Sequence, residues 1–188
     1  MFLTLPTLLT WARILAIPLI VGVFYLPWEA SARNLTATVL FVLFALTDWL
    51  DGWLARKLNQ TSAFGAFLDP VADKFLVCAS LLVLVKLDRV DVLVALVIIG
   101  REIAISSLRE WMAQIGASRS VAVHMLGKLK TATQMTAIPF LLYDGALFGV
   151  IDTRLWGTAL ILMATVLTIW SMVYYLRKAL PEIRAKAR

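Results

Sequence analysis

The sequence contains few of the residues that build disulfide frameworks, metal clusters and flexible linkers, with one cysteine, one histidine, nine glycines and six prolines among 188 residues. Cys78 alone cannot form an intramolecular disulfide, and a cysteine-based metal cluster is excluded. The composition also excludes a collagen-like or disordered chain. Charged residues are scarce as well, at 16%, whereas a typical soluble domain has roughly 25%.

Hydrophobic residues take their place, making up 61% of the chain and giving a mean hydropathy of +0.86. They come in runs of about twenty, the length that a helix needs to cross roughly 30 Å of hydrocarbon. We therefore predict an all-α integral membrane protein that forms a single domain over residues 1–188. The six predicted transmembrane helices are Leu8–Tyr25, Leu35–Leu58, Phe67–Leu87, Val90–Ile115, Leu126–Leu142 and Leu155–Leu176.

Basic residues predict the orientation of these spans. Eleven lysines and arginines fall in the connections on one side and in the C-terminal tail, against four on the other side, Arg33, Lys86, Arg89 and Arg154. Because basic residues concentrate on the cytoplasmic side, both termini are predicted to be cytoplasmic. Orientation and attraction to anionic membrane lipids then explain the net charge of +6, and no nucleic-acid partner is expected.

The first span has an alternative interpretation as a secretory signal. Ile14–Trp28 could be the core of a signal peptide, followed by the A-x-A-like cleavage site Ala30-Ser31-Ala32. However, Arg13 is the only basic residue before that core, and Pro27-Trp28 suits a turn at the membrane interface. We favour a span that is retained.

Four aspartates lie within or at the ends of these apolar helices, where a charge costs several kcal/mol unless it is paired, hydrated or bound to metal. Asp48 and Asp51 belong to the second span, and Asp69 and Asp73 to the start of the third. At about 100° per residue, each pair shares one helix face. The face of the first pair also includes Gly52, Ala55 and Arg56. Two adjacent helices can therefore direct four carboxylates at one point near the cytoplasmic surface.

Converging carboxylates repel one another unless cations bind them. Oxygen ligands without cysteine or a nearby histidine favour a hard divalent ion, Mg²⁺ or Mn²⁺. Gly52 and Gly65 lack side chains and let a bulky ligand approach the backbone. The arrangement favours a diphosphate held by two metal ions, with Arg56 beside it. Pro70 is expected in the first turn of the third helix, where proline is tolerated.

Two alternatives explain part of this pattern. Single pairs such as Asp73 with Lys74, or Asp51 with Arg56, could be buried ion pairs that serve packing alone. A cation or proton transporter also places aspartates within the membrane. It would put them near the bilayer midplane, however, and it explains neither the glycines nor Arg56.

The chain resembles a known family at these residues. Asp48-x-x-Asp51-Gly52-x-x-Ala55-Arg56, eight further residues and Gly65-x-x-x-Asp69-x-x-x-Asp73 resemble the complete signature of the CDP-alcohol phosphatidyltransferases. Further segments are similar to the bacterial phosphatidylglycerophosphate synthases of that family, namely 6–13, 64–74, 101–111 and 127–131. The resemblance implies a six-helix homodimer in the bacterial cytoplasmic (inner) membrane, with its active site facing the cytoplasm.

The resemblance also implies a reaction, in which the phosphatidyl group of CDP-diacylglycerol is transferred to sn-glycerol 3-phosphate and CMP is released. The implied ligands of two divalent ions are Asp48, Asp51, Asp69 and Asp73. Asp73 is in addition the implied base that deprotonates the acceptor hydroxyl. The residues that would line the CDP moiety are Gly52, Ala55, Arg56 and Gly65.

Glycerol 3-phosphate is a dianion, so its binding requires arginine or lysine donors. The four residues that we expect to bind its phosphate are Arg101, Arg109, Lys128 and Lys130, with Ser106 and Thr131 as weaker candidates. Lys128 and Lys130 could instead be ordinary residues of a cytoplasmic loop. Glu102 or an aspartate could simply pair with Arg101.

The sequence leaves the identity of the acceptor alcohol open. Relatives with the same signature use other acceptor alcohols, among them inositol phosphate, serine and phosphatidylglycerol, so the signature alone indicates only the type of reaction. His124, the only histidine, precedes the fifth span and is expected to be a surface or interfacial residue.

Overall fold

The computed structural model describes residues 5–57, 63–114, 116 and 125–186, without the side chains of residues 5–7, 48–56, 63, 66, 126 and 182–186. The described chain forms six helices and one short hairpin. The helices are α1 (Leu5–Val23), α2 (Ala30–Lys57), α3 (Ala63–Lys86), α4 (Val92–Gln114), α5 (Met125–Tyr143) and α6 (Thr153–Lys186). The hairpin pairs β1 (Ala146–Leu147) with β2 (Ile151–Asp152) in an antiparallel register between α5 and α6.

The main core lies where α1, α2, α3 and α5 meet. Fully or almost fully buried side chains from each of them fill it, including Ile20, Phe41, Leu81 and Ile138. α1 packs against both α2 and α3, while α6 packs along α5 and also contacts α4. A smaller buried cluster on α4 and α6 contains Ile105, Met112 and Tyr175. The helices that carry the predicted site residues are thus held by two separate apolar contacts.

Two described helices are long and apolar enough to cross a membrane. The apolar stretches are Ala30–Thr47 in α2 and Thr153–Pro181 in α6, and α1 has a shorter one, Leu8–Val23. Many large apolar side chains on the outside of the bundle are exposed, for example Leu93, Leu96 and Trp170. A helical protein with two candidate spans is compatible with membrane insertion. The six predicted spans and their orientation stay predictions.

The helices differ from the predicted spans mostly at their ends. α2 begins at Ala30 instead of Leu35, and α6 continues to Lys186 instead of ending at Leu176. Hydropathy detects only the apolar part of a helix, whereas the backbone stays helical through polar residues that form helices well. The predicted place of Pro70 was wrong, because α3 begins at Ala63 and Pro70 lies inside it. The backbone carbonyl four residues earlier therefore receives no hydrogen bond from Pro70.

Arg89, in the turn between α3 and α4, ties three elements together. Its guanidinium donates to the backbone carbonyls of Leu141 and Leu142 at 3.0 and 2.8 Å, at the end of α5. It also lies 3.1 Å from the Asp144 carboxylate and 2.9 Å from the Asn34 side-chain oxygen. Burial lowers the pKa of Arg89, and the Asp144 carboxylate opposes that effect. The guanidinium is charged, because arginine is not deprotonated in proteins. Arg89 is one of the four basic residues on the side predicted to be non-cytoplasmic, and it caps the C-terminal end of α5.

Candidate active site

Asp69 and Asp73 lie one turn apart on α3, on the face that meets α1. The Thr10 hydroxyl donates a hydrogen bond to Asp69 Oδ1 at 2.5 Å. Arg13 Nη1 donates to Asp73 Oδ1 at 2.6 Å. Thr10 and Arg13 are three residues apart on α1, so they share a helix face as the two aspartates do. A polar face of α1 and a polar face of α3 therefore meet inside a helix contact that is otherwise apolar.

The ion pair between Arg13 and Asp73 is buried on one side only. The Arg13 side chain has no exposed surface, whereas the Asp73 side chain is 46% exposed. A buried guanidinium needs an anionic partner, because its unpaired charge costs several kcal/mol. Asp73 meets that need and still presents carboxylate surface outside the contact with α1. Sequence reasoning missed Thr10 and Arg13, although an arginine inside an apolar helix is itself a signal of function.

The other half of the predicted carboxylate cluster is described only as backbone. α2 is helical through residues 48–56, but the side chains of Asp48, Asp51, Ala55 and Arg56, and the surroundings of Gly52, lie outside the described residues. Gly65 is buried on α3, one turn before Asp69. Among the described residues, no group of three or more His, Cys, Asp or Glu side chains could hold a metal ion. The convergence of four aspartates therefore stays a prediction.

Asp73 opens on a pocket of about 340 Å³ between α2, α3, α4 and α5. Its polar lining comes from Asp73, Lys74, Glu102, Lys130, Thr131 and Gln134. The remaining wall is apolar and includes Ala45, Leu76 and Met135. We call this space the Asp73 pocket. Two acidic and two basic residues thus line one cavity that can take a small polar molecule.

A second pocket, of about 540 Å³, lies between α4 and α5. Arg101, Arg109 and Lys128 line it, together with Gly127, Ala132, Glu102 and Thr131. We call it the cationic pocket. The structure thus brings three of the four predicted acceptor ligands into one cavity, and the fourth, Lys130, lines the Asp73 pocket. Glu102 and Thr131 belong to both linings, so the two cavities are neighbours.

Glu102 is the anionic partner that Arg101 and Lys130 share. Its carboxylate forms an ion pair with Lys130 and lies 3.2 Å from Arg101 Nη1. Lys130 and Arg101 are 3% and 7% exposed, which makes a shared counterion necessary. The possibility that Glu102 pairs with Arg101 is confirmed. Arg101 also donates to the Ser171 hydroxyl at 3.0 Å, so α6 takes part in the network.

Tyr175 on α6 stands between the two arginines of the cationic pocket. The guanidinium carbons of Arg101 and Arg109 lie 5.9 and 5.4 Å from the centre of its ring. Arg109 Nη2 donates to its hydroxyl at 3.4 Å. A Cβ atom on Gly127 would come within 3.3 Å of the same hydroxyl, so a glycine allows the close approach of α5. Sequence reasoning missed this residue, although Ser171 and Tyr175 form a polar stripe in an apolar helix.

The weaker candidates have local partners. The Ser106 hydroxyl donates to the backbone carbonyl of Glu102, and that of Thr131 to the carbonyl of Gly127, both four residues earlier. Such bonds within a helix compete with ligand binding. His124 lies outside the described residues.

Known proteins match nearly the whole chain. Residues 3–170 match the model of the family described as CDP-alcohol phosphatidyltransferase. The chain is 45% identical over 183 residues to a CDP-diacylglycerol–glycerol-3-phosphate 3-phosphatidyltransferase of Escherichia coli K12, covering 95% of this chain and 96% of that protein. A protein of the same description from Salmonella choleraesuis is 45% identical over 177 residues, with 93% and 94% covered.

Proposed function

The chain belongs to the CDP-alcohol phosphatidyltransferase family, and we propose which of its residues carry out the reaction. In this reaction the phosphatidyl group of CDP-diacylglycerol is transferred to sn-glycerol 3-phosphate, giving phosphatidylglycerol phosphate and CMP. The two relatives carry that activity in their names. The assignment of residues rests on one observation. The Asp73 pocket and the cationic pocket are adjacent, because Glu102 and Thr131 line both of them. A base and a phosphate-binding cavity are thus neighbours, as a phosphorylated acceptor alcohol requires.

The donor half of the site is proposed to consist of the aspartate cluster. Asp69 and Asp73 offer two carboxylates one turn apart on one face of α3, a donor set that suits a hard divalent ion. Asp48 and Asp51 would complete the set from α2. Two bound Mg²⁺ or Mn²⁺ ions would neutralise diphosphate oxygens and stabilise the CMP leaving group. The residues proposed to contact the CDP moiety are Gly52, Ala55, Arg56 and Gly65.

The acceptor half is proposed to lie in the cationic pocket. Arg101, Arg109 and Lys128 would bind the phosphate of glycerol 3-phosphate, and Lys130 would face its glycerol part from the Asp73 pocket. Asp73 would accept the proton of the acceptor hydroxyl. The hydroxyl oxygen then bonds to the phosphorus that carries diacylglycerol. The bond from that phosphorus to the bridging oxygen breaks, and CMP leaves with that oxygen.

The proposed location follows from the chemistry of the substrates. Donor and product are both lipids, so a site at the cytoplasmic edge of the bacterial inner membrane lets their acyl chains stay in the bilayer while cytidine remains in water. The exposed apolar side chains and the apolar stretches of α2 and α6 suit such a position. Six spans, cytoplasmic termini and a homodimer belong to the same proposal.

The decisive experiment measures CMP release by the purified protein in detergent. CDP-diacylglycerol and Mg²⁺ are supplied with glycerol 3-phosphate, inositol phosphate or serine in separate reactions. Release with glycerol 3-phosphate alone supports the proposal. Release with serine alone would refute the phosphate-binding role of the cationic pocket, and release with inositol phosphate alone would refute glycerol 3-phosphate as the acceptor. Either result would retain the aspartate cluster. No release from folded protein would refute both.

Asp73→Asn tests the proposed base. The amide cannot accept the hydroxyl proton, so turnover should fall by at least about a hundredfold while CDP-diacylglycerol binding is largely kept. Asp91→Asn is the matched control, because Asp91 caps α4 from an exposed position and asparagine caps equally well. Near-normal turnover of Asp73→Asn would remove this residue from the role of base.

A further inference from the structure

Gln134 on α5 has an unsatisfied polar atom at the edge of a cavity. The residue is 3% exposed, and its amide oxygen is buried without a hydrogen-bond partner among the described residues. A buried polar atom left in this way costs about 1–3 kcal/mol, so native structures rarely keep one without a reason. Gln134 nevertheless lines the Asp73 pocket. A ligand in that pocket is the evident partner for the amide.

The surroundings restrict what the ligand group can be. Glu102 already serves as the anion for the two buried cations, and Lys130 is engaged with it. An amide oxygen accepts a hydrogen bond and its NH₂ group donates one, which matches an alcohol hydroxyl better than a phosphate or a carboxylate. The cationic pocket next door can take the phosphate of the same molecule. The geometry therefore favours a phosphorylated polyol that extends between the two pockets.

We infer that Gln134 binds the hydroxyl group of the acceptor that does not react. The inference rests on the proposed function, in which the reacting hydroxyl of glycerol 3-phosphate is directed at Asp73. The second hydroxyl, on the middle carbon, then lies on the remaining polar wall of the same pocket and hydrogen bonds to the Gln134 amide. Gln134 is thereby a specificity-determining residue that selects a polyol phosphate over a simple alcohol phosphate.

Acceptor analogues test this inference directly. 1,3-Propanediol monophosphate keeps the phosphate and the reacting hydroxyl of glycerol 3-phosphate but lacks the hydroxyl on the middle carbon. The wild-type protein should prefer glycerol 3-phosphate in kcat/KM by about tenfold or more, the effect of one buried hydrogen bond. Gln134→Met, which keeps the length of the side chain and removes the amide, should bring that preference close to one.

Gln134→Met should lower kcat/KM for only one of the two acceptors. kcat/KM for glycerol 3-phosphate should drop, and that for the propanediol analogue should stay near its wild-type value. Gln114→Met is the matched control, since Gln114 is exposed at the end of α4 and the chemical change is the same. It should keep the wild-type preference. Gln134→Asn, whose amide is one methylene too short, should also lose it and gives a second variant if the methionine side chain disturbs folding.

Three results would overturn the inference. One is a wild-type protein that uses both acceptors equally well. Another is a Gln134 variant that loses kcat/KM for both acceptors by the same factor, because that pattern belongs to a structural role. A third is no CMP release by folded wild-type protein with glycerol 3-phosphate, which would refute the proposed function as well and so differs from the first two.

Discussion

Arg13 on α1 donates a hydrogen bond to the carboxylate of Asp73 on α3 across 2.6 Å, although the two residues are 60 positions apart in the sequence. The contact connects the first helix of the chain with the proposed base. It holds one carboxylate oxygen, while nearly half of the Asp73 side chain stays exposed. Arg13 is therefore in a position to orient Asp73 without covering it.

Arg13→Met should lower both stability and turnover. Removal of one partner of a buried ion pair costs about 3–5 kcal/mol when the other is also buried. Since water reaches Asp73, we expect about 1–3 kcal/mol, with a loss of turnover of at least about tenfold from the misplaced carboxylate. Thermal unfolding in detergent and kcat measure the two effects.

Two variants control for the charge of Arg13. Arg13→Lys keeps the charge and should recover part of the turnover. Arg154→Met should behave like the wild type, because Arg154 is 59% exposed and its Nε lies 3.9 Å from Asp144 Oδ1, a distance that makes the ion pair weak. Full activity of Arg13→Met would show that Asp73 needs no partner from α1.

Arg109→Ala should mainly raise the KM for glycerol 3-phosphate. Arg109 lines the cationic pocket, and a hydrogen bond from a charged group contributes about 1.5–3 kcal/mol, which corresponds to about 10–100-fold in KM. Tyr175→Phe removes only the hydroxyl that accepts from Arg109 and should have a smaller effect in the same direction. Steady-state kinetics with each substrate varied in turn measures both.

The control for Arg109 is Arg177→Ala, which removes an exposed arginine on α6 and should leave both KM values unchanged. An effect of Arg109→Ala confined to CDP-diacylglycerol would place Arg109 in the donor half of the site.

Glu102→Gln should destabilise the contact between α4 and α5. The substitution removes the negative charge shared by Lys130 and Arg101, which are almost completely buried. Leaving buried cations without their counterion costs about 3–5 kcal/mol, so the melting temperature should fall clearly. Glu110→Gln makes the same change on an exposed part of α4 and should have little effect. Equal melting temperatures of the two variants would contradict the network.

Gly157→Ala should separate α5 from α6. An added Cβ would lie 2.7 Å from Leu141 Cγ and 3.1 Å from the Leu141 backbone nitrogen, so the helix itself must move. Overpacking of this kind costs about 1–3 kcal/mol. Gly22→Ala is the control, since apart from the adjacent residues and the local backbone of α1 no described atom lies within 4 Å of the added group, and alanine favours helix. Gly157→Ala should lower the melting temperature, whereas Gly22→Ala should raise it or leave it unchanged.

The sequence predicted the local features of the chain well. Six apolar runs predicted six helices, and the described chain has six, with the differences confined to ends such as Ala30 and Lys186. The family was also recognisable, because the spacing of residues 48–73 is a pattern along the chain. Hydropathy and spacing are local properties, so no knowledge of contacts is needed to find them. Pro70 was misplaced because helix starts leave a weaker local signal than apolar runs do.

Only the tertiary structure decided which helices meet around the site. Asp69 and Asp73 contact Thr10 and Arg13 of α1, and the arginines of α4 pack around Tyr175 of α6, pairings that helical periodicity cannot supply. Periodicity tells which residues share a face, whereas packing determines the partner of that face. The buried amide of Gln134 is the clearest case, since a glutamine in an apolar run says nothing about its partners until the surrounding helices enclose it.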